Sequence, residues 1–184
     1  MKLIHKLTAG LGILSLLAAI TFPALAATDA SVTATVTPGN ISVTVSPSPV
    51  GYGTVGVPSL DNVPATPSAD PIIEANNNGG IPETFNIKGA NAIGTTQNWI
   101  ISTGSPTGSP GYNYNHKFAD CGVGDTTCST IDAANTMDTN YETLETNIAA
   151  GASDYFKLRL STPTETGGDT SEHSTTVTVQ AVAF

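Results

Sequence analysis

Apolar and polar residues alternate along much of this chain, and the alternation predicts β-strands. Two such runs lie near the start, Val32–Val36 and Ile41–Val45, with β-branched residues at regular intervals. A period of two with this composition is typical of a half-buried strand. Pro38-Gly39-Asn40 separates the runs as a turn. Gly51–Val57 is predicted to be a third strand, weakened by its glycines.

The stretch Ile81–Ile101 is predicted to form the middle of the core. Phe85 and Ile87 share one face of a first strand, and Trp99, the only tryptophan, lies beside Ile101 in a second. A connection of small and polar residues joins the two. Because alternation aims these four side chains at one interior, we expect all of them to be buried.

Further strands are predicted where the alternation recurs, and loops such as Leu60–Pro71 separate them. Tyr141–Leu144 fits either a strand or one helical turn. In the clearest strand, Tyr155–Leu160, the apolar residues alternate with Tyr155, Lys157 and Arg159. The other segments with strand character are Ile72–Ala75, Tyr112–Phe118 and Thr175–Ala183.

These segments predict an all-β fold. Eight to ten short strands are separated by Pro, Gly and Asn turns, and no segment after residue 26 has a helical pattern. Spacing of this kind favours a single antiparallel β-sandwich with one hydrophobic face per sheet.

The first 26 residues predict export. Lys2 and Lys6 precede an apolar run, Leu7–Phe22, and Ala24-Leu25-Ala26 has the small-x-small pattern of a cleavage site. We therefore expect a signal peptide over residues 1–26 and a secreted domain over residues 27–184 with no membrane span. A retained N-terminal anchor is the alternative.

Charge narrows the range of partners. Without Lys2 and Lys6 the chain keeps four basic residues against fifteen acidic ones, a net charge of −11. Such a chain repels nucleic acid and anionic lipid. Solubility outside the cell explains this acidity, and binding of divalent cations is the sharper alternative.

Cys121 and Cys128 are the only two cysteines. An even pair in an exported chain predicts a disulfide. A metal site with His116 is the alternative, although the spacing matches no zinc pattern. Asp120, Asp125 and Asp132 surround this loop and could offer oxygen ligands to calcium, but they form no EF-hand sequence, so we expect solvated acids and no metal site.

Catalytic groups are scarce. After residue 26 the only imidazoles are His116 and His173, and no serine lies in a G-x-S-x-G turn. Glu142 and Glu145 could pair as acid and base, but on a polar segment they are expected to be solvated. We therefore expect a protein that is not an enzyme and has no cofactor.

Aromatic side chains suggest a second kind of site. Tyr112, Tyr114 and Tyr155 are candidate ligand-facing residues, since aromatic platforms hold sugars by stacking, and Asn113 and Asn115 lie beside them. Burial explains Tyr112 and Tyr114 equally well. A carbohydrate- or wall-binding module is therefore the alternative function.

The order of several segments resembles that of secreted bacterial cell-surface proteins with an Ig-like β-sandwich. The resemblance covers most of the chain after residue 26 and implies an Ig-like sandwich at the cell surface, with no catalytic residues to carry over. The matching segments are SVTATVTPGNISVTV, GYGTV, ETFNIKG, NW with the apolar residues after it, HKF, NIAAGASDYFKLRL and TTVTVQA.

The function expected from export, acidity and missing catalytic groups is structural or adhesive. Surface-layer subunit, filament subunit and adhesion module all fit. Protein–protein contacts at the cell surface are the expected partners. Self-assembly could use Val32–Val36, because an unpaired sheet edge can accept a strand from a neighbouring chain.

Overall fold

A computed structural model describes residues 32–128 and 135–184, and this part of the chain is all-β, as predicted. It contains nine strands and no helix, and therefore no membrane-spanning helix among the described residues. All nine strands lie in the unit Pro38–Phe184. The strands are β1 Val43–Ser46, β2 Ile73–Asn77, β3 Glu83–Lys88, β4 Ile100–Ile101, β5 Asn113–Val123, β6 Asn135–Thr136, β7 Glu142–Ile148, β8 Ser153–Ser161 and β9 Thr178–Ala183.

The strands form two sheets. The larger sheet has the order β1-β2-β8-β5-β4, with β6 pairing to β5, and the smaller has the order β7-β3-β9. Every pair is antiparallel except β4 with β5, where Ile100 lies beside Asn113 in a parallel register. The prediction of an entirely antiparallel fold is therefore wrong at this edge. A long connection, 102–112, brings the chain back to start β5 in the same direction as β4.

One hydrophobic core draws side chains from both sheets. Phe85 and Ile87 of β3 are fully buried, and Trp99 and Ile101 are each 7% exposed, which confirms the expected core positions. Phe156, Leu158 and Leu160 of β8 join them across the interior. The alternation of apolar residues was therefore a correct guide to which side chains face inward.

The outer face of β8 is covered as well. Lys157 and Arg159 alternate with the core residues, yet they are only 8% and 7% exposed. Asp70, at the end of the loop 60–71, accepts a hydrogen bond from Lys157 Nζ at 3.0 Å and one from Arg159 at 2.7 Å. The loop itself matches the prediction, but it packs against the sheet through this ion cluster.

Two predicted strands are absent, and the predicted signal peptide lies outside the described residues. Val32–Val36 forms no strand, and its valines are exposed. Gly51–Val57 makes a single bridge, from Gly51 to Thr66, because its glycines and the following proline interrupt a ladder. Tyr141–Leu144, left open between strand and helix, belongs mostly to strand β7. The predicted signal peptide, residues 1–26, is not among the described residues.

Candidate functional site

A cavity of about 1130 Å³ opens between the two sheets where strands β1 and β9 face each other. Each of these strands is the outermost strand of its sheet, and each has one paired neighbour among the described residues: β2 for β1 and β3 for β9. Val45 of β1 and Val179 of β9 line opposite sides of the cavity. The interior of the fold is therefore accessible along this seam.

Apolar side chains form the larger part of the cavity wall, including the inward face of the larger sheet. The segment before β9, residues 169–176, contributes a mainly polar part of the wall. Several of the apolar residues are only half-buried although they pack on the core, so an apolar occupant would bury them further. The apolar lining residues include Val45, Val50, Val55, Val57, Ile73, Trp99, Phe156, Leu158, Leu160, Val177 and Val179.

The free edge of β9 can be assigned from its ladder. The Phe184 N–H donates to the Pro82 carbonyl at 3.2 Å, just beyond the last pair of the β3–β9 ladder. Hydrogen-bonded and non-bonded pairs alternate in an antiparallel ladder. The backbone groups of Val179, Ala181 and Ala183 therefore point away from β3, toward the open edge. This row of donors and acceptors could accept another strand.

The same chain carries a segment suited to that edge. Residues 32–37 have no strand structure, and Val32 and Val36 are 92% and 88% exposed. Val32, Ala34 and Val36 alternate with Thr33 and Thr35. An extended backbone would place the three apolar side chains on one face. The segment therefore has the sequence pattern of a half-buried strand, but its apolar side chains are exposed.

His116 and Tyr52 form a hydrogen-bonded polar pair in the cavity wall. The Tyr52 hydroxyl and His116 Nε2 are joined by a hydrogen bond of 2.8 Å. His116 is 2% exposed, and its burial lowers the pKa of the imidazole to about 4. Burial also raises the pKa of Tyr52 well above its ordinary value. Both groups are therefore neutral near pH 7.

Replacing Tyr52 by phenylalanine should lower the free energy of unfolding by about 1–2 kcal/mol. His116 Nδ1 is buried without a hydrogen-bond partner, so the substitution would leave the whole imidazole unpartnered. Urea unfolding of the variant measures this cost. Tyr141→Phe is the matched control, since Tyr141 is 41% exposed and should change stability by less than about 0.5 kcal/mol. Equal stability of the two variants would contradict the prediction.

The predicted disulfide between Cys121 and Cys128 is confirmed. It begins at the end of β5 and closes the loop that follows. Both sulfur atoms are bonded to each other, so the alternative metal site with His116 is excluded for this oxidised state. Asp125 accepts hydrogen bonds from the backbone N–H groups of Thr127 and Cys128, which fixes the same loop. Asp132 lies outside the described residues.

The three candidate tyrosines do not form one platform. Tyr114 is fully buried, and its hydroxyl donates to the Ala90 carbonyl, so it is unavailable for stacking on a sugar. Tyr112 and Tyr155 are half-buried. Tyr112 precedes β5, whereas Tyr155 pairs with Gly122 near the other end of that strand, a separation of about 30 Å along β5. A carbohydrate site remains a prediction for Tyr112 or Tyr155 singly.

Neither imidazole is placed for nucleophilic catalysis in the described part of the chain. His116 bonds to Tyr52, and the ring nitrogens of His173 lie 3.1 and 2.8 Å from the carbonyl oxygens of Ser171 and Gln97. His173 also stacks on Trp99 with ring centroids 4.0 Å apart. The contacts of both rings are those of structural residues.

Sequence reasoning missed the cavity. No local pattern in the sequence points to it, because the cavity depends on which strands end up at the edges of the two sheets. The comparisons with known proteins add no relative to this picture. No protein-family model, no curated protein and no solved structure matches the chain.

Proposed function

We propose that this protein is a non-enzymatic, extracellular structural or adhesive subunit with an Ig-like β-sandwich. Copies assemble by strand exchange. Val32–Val36 of one copy enters the cavity between β1 and β9 of the next and pairs with the free edge of β9. The observation that carries this proposal is an open, largely apolar cavity in a chain that also exposes a strand-patterned segment, which pairs with no other described residues.

The dimensions of donor and acceptor agree. Five extended residues span about 16 Å, and the free edge from Val179 to Ala183 has the same length. Val32, Ala34 and Val36 would face the half-buried wall of the cavity, near Val177 and Val179. Because all three donor side chains are apolar, their transfer from water is favourable, by about 25 cal/mol per Å² of apolar surface buried.

Donor segment and acceptor cavity are different surfaces of the same chain. Two copies can therefore exchange segments reciprocally in a closed dimer, or each copy can donate to the next in a ring or an open chain of subunits. The disulfide supports an extracellular setting, because such bonds persist in oxidising compartments.

Two charge variants test the donor segment in the protein that begins after residue 26. Val32→Asp with Val36→Asp should abolish assembly, since both aspartates would have to enter an apolar cavity. Thr33→Asp with Thr35→Asp is the matched control, with the same added charge on the opposite face of the segment. Light scattering measures the mass of each. The control should keep assembling, because its aspartates would point away from the cavity.

Hydrogen exchange tests the acceptor edge. In assembled protein the amides of Val179, Ala181 and Ala183 should exchange at least tenfold more slowly than in the Val32→Asp, Val36→Asp variant. The amide of Gln180 should change less, since it already bonds to β3. Wild-type protein that stays monomeric at every concentration tested would overturn the proposal, as would assembly that both double variants preserve equally.

A further inference from the structure

Three carboxylates from three strands meet at the end of the core. Asp120 lies on β5, Asp154 on β8 and Glu145 on β7, and one oxygen atom from each lies within 4.8 Å of the other two. Strands β5 and β8 belong to the larger sheet, and β7 belongs to the smaller. The cluster therefore connects the two sheets.

Asp154 is the member that ordinary packing does not explain. Its side chain is completely buried, and neither carboxylate oxygen has a hydrogen-bond partner among the described residues. An isolated buried carboxylate is costly and is normally paired, protonated or bound to a metal. Burial, with the neighbouring charge of Asp120, raises the pKa of Asp154 above its ordinary value. The fold therefore disfavours an ionised Asp154 that has no neutralising partner.

Alternation shows how the cluster arises. On β8, Asp154 has the same parity as Phe156, Leu158 and Leu160, so it points into the interior. On β5, Asp120 has the parity of His116 and Phe118 but lies at the exposed end of that series. A bulge follows between Asp120 and Gly122, and Asp120 Oδ1 accepts a hydrogen bond from the Gly122 N–H at 2.7 Å. The second oxygen of Asp120 remains available.

No cation of the described chain neutralises the cluster. Three of the four basic residues after residue 31 form ion pairs elsewhere: Lys117 with Asp61, and Lys157 and Arg159 with Asp70. The fourth basic residue, Lys88, lies over the ring of Tyr141, with its ammonium 4.4 Å from the ring centroid. A proton shared between carboxyl groups or an external cation is therefore left to neutralise the cluster.

We propose that Asp120, Glu145 and Asp154 bind a divalent cation, and that the cation is Ca²⁺. The three ligands are carboxylate oxygens, which suit hard cations, whereas zinc sites use nitrogen and sulfur as well. Ca²⁺ takes oxygen ligands at about 2.4 Å, so two ligands of one ion can be at most about 4.8 Å apart, and the three carboxylate oxygens meet this limit. Mg²⁺ demands a tighter octahedron and gives up its water reluctantly. Water or backbone oxygens would complete the coordination.

The bound ion would hold the two sheets together. It would link β7 to the β5–β8 pair and remove the repulsion among three carboxylates. The cavity between β1 and β9 is lined by other residues, so cation binding and strand exchange are separate properties. Failure of one leaves the other intact.

Calorimetric titration of the chelator-treated chain with CaCl2 at pH 8 tests the site. One ion per chain should bind, and Ca²⁺ at a hundredfold excess over its Kd should raise the Tm by about 5–10 °C. Asp154→Asn and Glu145→Gln should each weaken binding at least tenfold. Glu145 is half-exposed, so its variant remains informative if Asp154→Asn fails to fold.

Glu142→Gln is the matched control. It lies on the same strand, removes the same charge and is outside the cluster, so its Ca²⁺ affinity should stay within twofold of wild type. Absence of both heat and Tm shift in the wild type would overturn the proposal and assign the cluster to a proton shared by Asp120 and Asp154. Equal Ca²⁺ binding by wild type and Glu145→Gln would overturn it as well.

Discussion

Replacing Asp70 by asparagine should destabilise the fold by about 2–3 kcal/mol. Asp70 accepts hydrogen bonds from both Lys157 and Arg159, whose side chains are 11% and 9% exposed. An amide would leave two nearly buried cations beside each other without a counter-charge. The loss should be smaller than for a fully buried pair, since the Asp70 side chain is 27% exposed. Chemical unfolding near pH 7 measures it.

Asp61→Asn is the matched control for this effect. Asp61 lies in the same loop and pairs with Lys117 at 2.7 Å, but its side chain is 59% exposed. Solvent screens such a pair, so its loss should cost less than about 1 kcal/mol. If the two variants were equally stable, the ion cluster on the outer face of β8 would contribute nothing beyond a surface pair.

The Asp70 effect should also depend on pH with a defined sign. Burial alone would raise the pKa of Asp70, but hydrogen bonds from Arg159 and Lys157 outweigh it and hold the pKa below its ordinary value of 3.8. The folded state therefore binds fewer protons than the unfolded state just below pH 4. The advantage of wild type over Asp70→Asn should be full above about pH 5 and should shrink as the pH falls through the folded pKa.

Alternation predicted the inward face of each strong strand because burial of one face imposes a period of two. Phe85, Ile87 and Phe156 needed no knowledge of their partners to be placed in the core. The same rule also applies to Asp120 and Asp154, which share the inward parity of their strands. Asp120 was among the acids predicted to surround the cysteine loop, whereas Asp154 could have been found by following the parity of β8 back from Phe156.

Other features depend on partners that a local pattern does not contain. Val32–Val36 has the composition of a strand, but a strand needs a neighbouring edge to satisfy its backbone groups, and the segment pairs with none of the described strands. The burial of Lys157 and Arg159 depends on a loop ninety residues earlier, which shows no periodicity of its own. The parallel pairing of β4 with β5 follows from the path of the connection between them.

Replacing Phe85 by alanine should destabilise the protein by about 3–5 kcal/mol, the largest effect expected from any single change discussed. Phe85 is fully buried in β3, the middle strand of the smaller sheet, and pairs with Glu145 on one side and Ala181 on the other. Removing the ring leaves a cavity between two rigid sheets, which cannot collapse around it. Urea unfolding monitored by Trp99 fluorescence gives the free energy.

Phe184→Ala makes the same chemical change at a side chain that is 70% exposed. It should cost less than about 0.5 kcal/mol, because little apolar surface returns to water. The difference between the two variants isolates the contribution of burial from that of phenylalanine itself. If the Phe85→Ala protein were as stable as Phe184→Ala, Phe85 would not be part of the core. The conclusion that the two sheets share one hydrophobic core would then be wrong.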